Sequence, residues 1–463
     1  MEKIKEFFKN VKIDINKISL ILIMLVIFAP LTTTVMRLFA VNNFFIYKML
    51  YIKNIDISLY TTYTVGYIGV AAFIYLCVSK GSSHWKKYAS SKLLIPLYMF
   101  IAFLIWLLFS CLFAQDTHIA FYGSEYRNEG YYLYLAYAGV CFLSMLIQHD
   151  KKKIIYNSII FVAMFLAIMG FVDFSGKERV FTYWNSIAAI FTNPNHYGYF
   201  LVIPIICSVL LLENEKWYLK IIYLISYVTL LLTLINTATS GSYIAIFVTI
   251  IAILIYQIIT KKKWSFSLLA LAIFMVCTFS YNSAYSNEPM IADIKSIADQ
   301  AVSITGNEKE NIVKLVKEDE IKNYSELDKD QKAIANYGSR RVLIWINSLK
   351  LIKQKPMLGY GLENISQDMI GGGGGRPHNL ILQMCLFAGI PGAMLYLIGI
   401  AIIMIRGLIN FKLMDIVTSI SYFACFGYLI SAMFGNTMYY TSPFFLVFFG
   451  MLYGKEIRQY FIQ

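Results

Sequence analysis

The chain has 463 residues, of which 58% are hydrophobic and only 14% are charged. Its mean hydropathy of +0.61 is too high for a soluble protein of ordinary composition, so it is predicted to be an integral membrane protein. The net charge of +13 could indicate nucleic-acid binding. Membrane topology explains the spacing of the basic residues more simply, so no nucleic-acid partner is predicted.

Apolar runs follow one another along the chain, and about twelve of them approach the roughly 20 residues that cross the hydrocarbon core as a helix. The predicted fold class is therefore all-α, a polytopic helical bundle in the lipid bilayer. The predicted spans are 18–40, 60–79, 93–114, 131–147, 154–172, 196–212, 218–237, 243–260, 265–281, 379–405, 416–435 and 443–454.

Every second connection between these spans is basic, beginning with the segment before the first span. The positive-inside rule then places both termini in the cytoplasm and the other connections outside. A long polar segment precedes the first span and no small-residue cleavage pattern follows it, so this span is predicted to be a retained helix. All seven cysteines fall inside predicted spans and are expected to act as small hydrophobic residues, without disulfides or zinc.

Three regions follow from this topology: a membrane region of about nine spans over 1–281, a large extracytoplasmic loop over 282–378, and about three spans over 379–463. The first half of the loop has charges of both signs and is predicted to form short amphipathic helices. In its second half one helix is predicted, capped by Ser339 and stopped by Pro356. Its apolar residues recur at helical spacing: Val342, Trp345, Ile346, Leu349 and Ile352.

Arg340 and Arg341 lie in the first turn of this helix, where the helix dipole favours anions. Two cations at that position indicate that an anion binds between them and the helix N-terminus. The alternative is that both arginines are solvated or pair with acids of the same loop.

Two shorter outer loops are also unusually polar. The segment 115–130 contains Arg127 and Glu129, and the segment 173–198 contains Arg179, Asn195 and His196. Both loops could instead be ordinary wet connections with Asn-Pro turn chemistry.

Ionisable residues are essentially absent from the centres of the spans, which argues against an ion-coupled transporter. They gather at the outer face, where a synthetic enzyme needs a donor that arrives already activated in the membrane, such as a lipid-linked pyrophosphate sugar. Arg341 could hold the departing pyrophosphate and His378 could take the acceptor proton, although a lone histidine there could also be a hydrogen-bonded interface residue. No His, Cys and carboxylate cluster with metal-ligand spacing occurs, so a metal-independent mechanism without a cofactor is predicted.

The order of several short motifs resembles the O-antigen ligase and polymerase family. These motifs are Arg-x-x-x-Trp at 341–345, KPMLGYGLEN at 355–364 and PHNLILQ at 377–383 with GIPG at 389–392, preceded by YGSEYRNEG at 122–130 and TNPNHYGYF at 192–200. The resemblance implies a GT-C-like membrane glycosyltransferase that lies in the cytoplasmic (inner) membrane and takes glycans from an undecaprenyl-pyrophosphate carrier at the outer face of that membrane. A flippase and a chain-length regulator are the protein partners it implies.

Carried onto this chain, the resemblance implies that Arg341 contacts the pyrophosphate and that His378 either activates the acceptor hydroxyl or assists the leaving phosphate. Many relatives have a Ser-Arg-Gly turn where this chain has Ser240 at the arginine position, so Arg376, Arg340 or Arg179 would have to replace that cation. The predicted substrate-binding residues are Arg127, Arg376, Arg340, Glu129, Asn195 and Asn379.

Three functions are carried forward: a polymerase of lipid-linked repeat units, a ligase that transfers a finished glycan to lipid A core, a cell-wall polymer or a protein, and an exporter of lipid-linked sugars. Five glycines, 371–375, precede Arg376 and His378 and are interpreted as a hinge that opens the outer loop for a bulky glycan. Asn379 is predicted to cap the tenth span, while Gly389 and Gly392 allow close helix packing within it.

Overall fold

The computed structural model describes residues 14–40, 56–125, 127–175, 182–183, 186–187, 189–191, 193–284, 321, 324–327, 331–332 and 341–462. Most of this part of the chain is helical, with one pair of two-residue antiparallel strands, Thr182–Tyr183 (β1) and Ser186–Ile187 (β2). The helices are α1 Ile15–Ala40, α2 Ile57–Tyr88, α3 Ile95–Leu112, α4 Thr117–Tyr122, α5 Tyr131–Met145, α6 Lys152–Ser175, α7 Pro194–Asn214, α8 Trp217–Asn236, α9 Ser240–Ile259, α10 Ser265–Ala284, α11 Arg341–Gln354, α12 Gln367–Ile370, α13 Leu380–Ile409, α14 Ile416–Ala432 and α15 Ser442–Ile462.

Each of the predicted spans falls on one of the long helices. Eight of the helical segments are long and apolar enough to cross a membrane, and the apolar stretches in α5, α10 and α14 are shorter. Helix α15 carries Lys455, Glu456 and Arg458 in its second half. The polytopic, helical class of the chain is therefore confirmed, whereas the number of crossings and the GT-C-like arrangement remain predictions.

Helix α7 is the central helix of the bundle, because almost all of its apolar stretch is buried. It contacts α6, α8, α9, α10 and α14. Asn193 caps this helix by accepting a hydrogen bond from the backbone N–H of Asn195 at 2.9 Å, and Pro194 occupies the first turn, where no N–H is needed.

Small residues bring α2, α5 and α15 into close contact. A Cβ atom at Gly66 of α2 would lie 2.3 Å from the carbonyl oxygen of Ala136, and one at Gly450 of α15 would lie 2.4 Å from that of Cys141. Backbones that approach this closely gain van der Waals contact, which lipid-embedded helices use in place of a hydrophobic driving force.

Helix α13 is broken at Gly389, which has a left-handed φ of +68° and a ψ of 177°. The segment 356–361 fits into the break: the N–H of Ile390 donates to Pro356 O at 2.7 Å, and the N–H of Tyr360 donates to Leu386 O at 2.8 Å. Trp106 of α3 donates its Nε1–H to Ala388 O at 2.9 Å. The break therefore leaves these backbone groups satisfied, as a helix interruption at membrane depth requires.

The predicted tenth span thus contains a sharp interruption. Asn379 caps its first half as predicted, since its Oδ1 accepts from the N–H groups of Ile381 and Leu382 at 3.0 and 3.1 Å. Gly392 packs closely as predicted, with Trp106 beside it, but Gly389 acts through its backbone conformation. A Cβ atom there would collide with Met357 O at 2.0 Å.

Helix α11 ends at Gln354, just before Pro356, as predicted. Ile346 and Ile352 are buried, but Leu349 is 50% exposed, so the predicted apolar face is partly wrong. Leu343, Ile344 and Leu351 are buried in its place, and Leu343 and Ile346 pack with Leu327 in a small separate apolar cluster. The helix is covered on more than one side, so a single stripe does not describe it. Ser339 and the mixed-charge segment before 321 lie outside the described residues.

The helix ends form two faces. The site face carries the connections 113–130, 189–193, 341–379 and 433–441, and the opposite face carries 89–94, 146–151, 260–264 and 410–415. The unusually polar loops thus share one face, and the basic connections share the other. Which face is extracytoplasmic remains the prediction made from the basic residues.

Candidate functional site

His378 occupies a strained position directly before the cap of α13. Its φ is +52°, a left-handed conformation that costs a non-glycine residue on the order of 1 kcal/mol or more. Its N–H donates to Asn436 Oδ1 at 3.1 Å, and the preceding carbonyl of Pro377 accepts from Trp345 Nε1 at 2.8 Å. Residues that the surroundings hold in such conformations cluster at functional sites. The backbone at the half-buried His378 is therefore held from two sides of the fold.

Arg341 begins α11, one turn before Trp345, and its side chain is half-buried. Its charge lies close enough to Tyr199 of α7 to interact with that hydroxyl. Tyr199 in turn donates to Phe434 O at 3.2 Å, in the connection that also supplies Asn436 to His378. The connection 433–441 therefore contacts both His378 and Tyr199, the tyrosine on which the charge of Arg341 acts.

Beside His378, four charged residues form what we term the charge cluster: Arg127, Glu129, Glu363 and Arg376. Arg376 is wholly buried, at 0% exposure. Its Nε donates to Glu363 Oε1 at 3.1 Å and its Nη2 lies 2.6 Å from Glu129 Oε2. Its Nη1 donates to Thr437 O at 2.7 Å. Arg376 thus ties three separate segments of the site face together.

Arg127 completes the charge cluster from the edge. Its Nη1 lies 3.5 Å from Glu363 Oε2, and its Nη2 donates to Gly374 O in the glycine run. Ser124 donates to the same Glu363 oxygen at 2.8 Å, and Tyr137 donates to Glu129 Oε1 at 2.5 Å. Two arginines therefore face two glutamates, and the cluster is neutral when all four groups are ionised.

The two carboxyl groups have opposite pKa shifts. Burial acts to raise the pKa of Glu363, but the charges of Arg376 and Arg127 and the hydrogen bonds from Arg376 and Ser124 outweigh it and lower the pKa. Burial raises the pKa of Glu129. The charge of Arg376 and the hydrogen bond from Tyr137 offset that effect only in part. The pKa of Arg376 is raised: burial opposes its charge, but Glu363 and Glu129 outweigh burial. Glu363 is therefore the main counter-ion of Arg376.

His196 also lies at this site, in the first turn of α7. It is buried at 6% exposure, and the charges of Arg376, His378 and Arg127 all act on it. Its ring centroid lies 6.0 Å from that of Tyr440. Within the described part of the chain its Nδ1 has no hydrogen-bond partner. A second imidazole with spare bonding capacity therefore lies near His378.

The glycine run has a defined conformation. Gly371, Gly372, Gly374 and Gly375 all have positive φ values. A Cβ atom at Gly375 would lie 2.3 Å from Ile365 O. These glycines therefore permit a tight turn that brings Gly374 O to Arg127. The hinge interpretation remains untested, and loss of activity on replacing all five by alanine would not establish it, because alanine is strained at most of them.

The structure brings Arg127, Glu129, Arg376, His378 and Asn379 together on one face. A substrate anion could reach Arg376 only after Glu129 or Glu363 moved away, so the structure favours a positioning role for Arg376 and Glu129. Asn379 has a capping role and also donates to Met433 O at 3.2 Å. Asn195 is exposed beside His196.

Arg340 and Arg179 lie outside the described residues. Ser240 opens α9, in a turn whose Gly241 packs against Phe434. That turn therefore contacts the connection 433–441 of the site face. Among the residues described, no group of three or more His, Cys, Asp or Glu side chains could hold a metal ion.

Sequence reasoning did not select Glu363, Asn436 or His196. Glu363 lies within the quoted KPMLGYGLEN motif, and His196 lies within TNPNHYGYF, next to the selected Asn195. Asn436 carries no comparable signal, because its role depends on a contact with a residue 58 positions away.

Comparison with known families matches residues 225–397 to the model described as O-Antigen ligase. This range includes α11, the charged residues Glu363 and Arg376, and His378. No curated protein matches the chain.

Proposed function

Because the chain belongs to the O-antigen ligase and polymerase family, as the match over residues 225–397 indicates, we propose that it is a membrane glycosyltransferase that polymerises lipid-linked oligosaccharide units. The donor is an undecaprenyl-pyrophosphate oligosaccharide, and the reaction takes place at the site face, on the extracytoplasmic side of the membrane. The observation that carries this proposal is the placement of His378, an imidazole held in a strained conformation beside two arginine-bearing segments.

In the proposed reaction an acceptor hydroxyl attacks the anomeric carbon of the donor sugar. The bond from that carbon to the pyrophosphate oxygen breaks, and the lipid pyrophosphate leaves with the bonding electrons. His378 accepts the proton of the attacking hydroxyl, and Arg341 stabilises the negative charge that develops on the pyrophosphate. The reaction uses no metal ion.

The surroundings of His378 and Arg341 support these roles. Trp345 lies one turn after Arg341 and holds the backbone of Pro377 next to His378. One rigid helix therefore fixes the separation between the anion-binding group and the base, which is the kind of positioning that accelerates a reaction between two bound substrates. The charge cluster holds the loop that carries His378.

The same chemistry would serve a ligase, for which the acceptor is a different molecule such as lipid A core. An exporter of lipid-linked sugars would require no base and no bond cleavage. One product assay, run with and without a separate acceptor, distinguishes these functions.

The test uses protein purified into lipid and incubated with undecaprenyl-pyrophosphate oligosaccharide, with and without EDTA, and the products are resolved by gel electrophoresis. A ladder of chain lengths that persists in EDTA is expected from the wild type, and His378→Asn and Arg341→Ala should lose it. Asparagine tolerates the left-handed backbone at this position, so His378→Asn removes the base without adding strain.

Two matched controls keep the result interpretable. His118→Ala removes an exposed histidine on the same face, and Lys355→Ala removes an exposed cation near the other end of α11. Both controls should keep the ladder. A ladder in His378→Asn at the wild-type rate would refute the role of His378. A single unextended species in every lane that becomes product only when a separate acceptor is added would identify a ligase.

A further inference from the structure

A cleft of about 500 Å³ opens on the opposite face of the membrane from His378. It lies where the ends of α5 and α15 meet the beginnings of α6 and α14. Its lining residues are Ile147, His149, Lys152, Asp415, Gly454, Lys455, Arg458, Gln459 and Ile462.

Lys152 forms the buried part of this cleft, with only 3% of its surface exposed. Its Nζ donates to Met451 O at 2.6 Å, which satisfies one of its three donors. Within the described residues Lys152 makes no ion pair. Burying an ammonium group without a counter-ion costs free energy that a bound anion would offset.

The rim of the cleft is also basic. Arg458 donates to Leu146 O and to Asn16 Oδ1, both at 3.0 Å, so its guanidinium is held rigidly. Lys455 lies 3.4 Å from Asp415 Oδ2. Three basic side chains, from Lys152, Lys455 and Arg458, therefore face one carboxylate among the lining residues.

Asp415 does not neutralise the cleft. Its Oδ1 accepts from the N–H of Thr418 at 2.7 Å and caps α14, and its Oδ2 is shared between Lys455 and His149, the latter at 3.3 Å. Asp150 and Asp14 act on Arg458 from outside the lining. Asp150 pairs with Lys151 at 3.1 Å. The charge of Asp415 also acts on Lys152, but the two side chains form no ion pair within the described residues.

Anionic groups of the phosphate class fit this arrangement of cations. The cleft opens at the ends of membrane helices, and Ile147 and Ile462 lie beside the cations. A lipid headgroup could therefore bind the cations while its acyl chains remain in the bilayer. Basic pockets between transmembrane helices on the cytoplasmic side recognise anionic lipid headgroups in this manner.

We propose that this cleft binds the phosphodiester headgroup of an anionic phospholipid, through Lys152, Lys455 and Arg458. The site is separate from the glycan chemistry, because it lies at the other ends of α5 and α15. It would anchor the ends of four helices to one leaflet of the membrane.

The experiment is native mass spectrometry of the full chain in detergent, titrated with phosphatidylglycerol, with phosphatidylcholine and with inorganic phosphate in separate arms. The wild type should bind at least one phosphatidylglycerol about tenfold more tightly than phosphatidylcholine. At about 1 kcal/mol for each cation near an anionic lipid, or about fivefold in affinity, Lys152→Met and Lys455→Gln should each weaken that binding by about fivefold. Lys263→Gln removes an exposed lysine of the same face that lies outside the cleft. The affinity of this variant for phosphatidylglycerol should stay within twofold of the wild-type affinity.

Lys455→Gln changes an exposed side chain, so it tests the site even if Lys152→Met does not fold. Equal binding of the two lipids by the wild type would overturn the proposal, as would an equal loss of affinity in Lys263→Gln. Saturable binding of inorganic phosphate without a preference for phosphatidylglycerol would assign the cleft to a soluble anion instead.

Discussion

Glu363→Gln tests the charge cluster most directly, because it removes the main counter-ion of Arg376 while keeping the side-chain volume. Breaking a buried ion pair by removing one partner costs about 3–5 kcal/mol. Glutamine retains an oxygen that can accept from Arg376 or Ser124, so we expect the lower end, about 3 kcal/mol. Thermal unfolding of the purified protein at pH 7, followed by intrinsic fluorescence, should show an apparent Tm lower by roughly 5 °C.

Glu129→Gln is the matched control, because Glu129 contacts the same guanidinium. Burial already disfavours the ionised form of Glu129, and the oxygen of glutamine can still accept from Tyr137. We therefore expect Glu129→Gln to cost about 1 kcal/mol, well below the cost of Glu363→Gln. If Glu129→Gln lowers the Tm as much as Glu363→Gln or more, the assignment of Glu363 as the main counter-ion is refuted.

The two variants should also differ in their dependence on pH. The folded-state pKa of Glu363 lies below its ordinary value of 4.5. Its contribution to the free energy of unfolding is therefore present above pH 4.5 and is lost as the pH falls through the folded-state pKa. The pKa of Glu129 is raised, so its contribution is present below its ordinary value and is lost as the pH rises through the folded value. The penalty of Glu363→Gln should therefore shrink in acid, and that of Glu129→Gln should shrink toward neutral pH.

Three further variants test the geometry of the site face. Gly375→Ala should lower turnover in the ladder assay severalfold, because Gly375 has a positive φ, and the control Gly373→Ala should not. Equal turnover of these two variants would show that the turn is dispensable. Trp345→Phe removes the donor to Pro377 and should lower kcat about tenfold in the ladder assay with little change in KM, whereas an unchanged kcat would remove Trp345 from the positioning of His378. Gly389→Ala should reduce the yield of folded protein in size-exclusion chromatography, because its Cβ atom collides with backbone, and a normal yield would contradict this.

The helices could be predicted from the sequence because the length of an apolar run is itself the physical requirement for crossing a bilayer. The cap of α13 could also be predicted, because Asn379 acts on N–H groups two and three residues away. The break at Gly389 could not, since it depends on a segment that ends near Gly361 and docks from elsewhere in the chain.

The charge cluster shows why the site itself was harder to predict than the spans. In the sequence Arg376 is a cation beside a glycine run, and it is indistinguishable there from an anion-binding residue. Its true surroundings come from Glu363, which is 13 residues away, and from Glu129 in a different loop. Ionic partners of this kind follow no period along the chain, so a sequence reveals the charges without their pairing.

His378 itself lies outside the apolar core, although Leu362 and Ile370 of the same connection are buried in it. Its left-handed backbone needs other interactions to hold it, and the charge cluster supplies them on one side through Arg376, while Asn436 and Trp345 supply them on the other. Arg376 is bonded to groups from three segments, so a shift of any one of them leaves a buried charge without its partner. That penalty holds the loop before His378 in one conformation, as the proposed transfer between two bulky glycans would require.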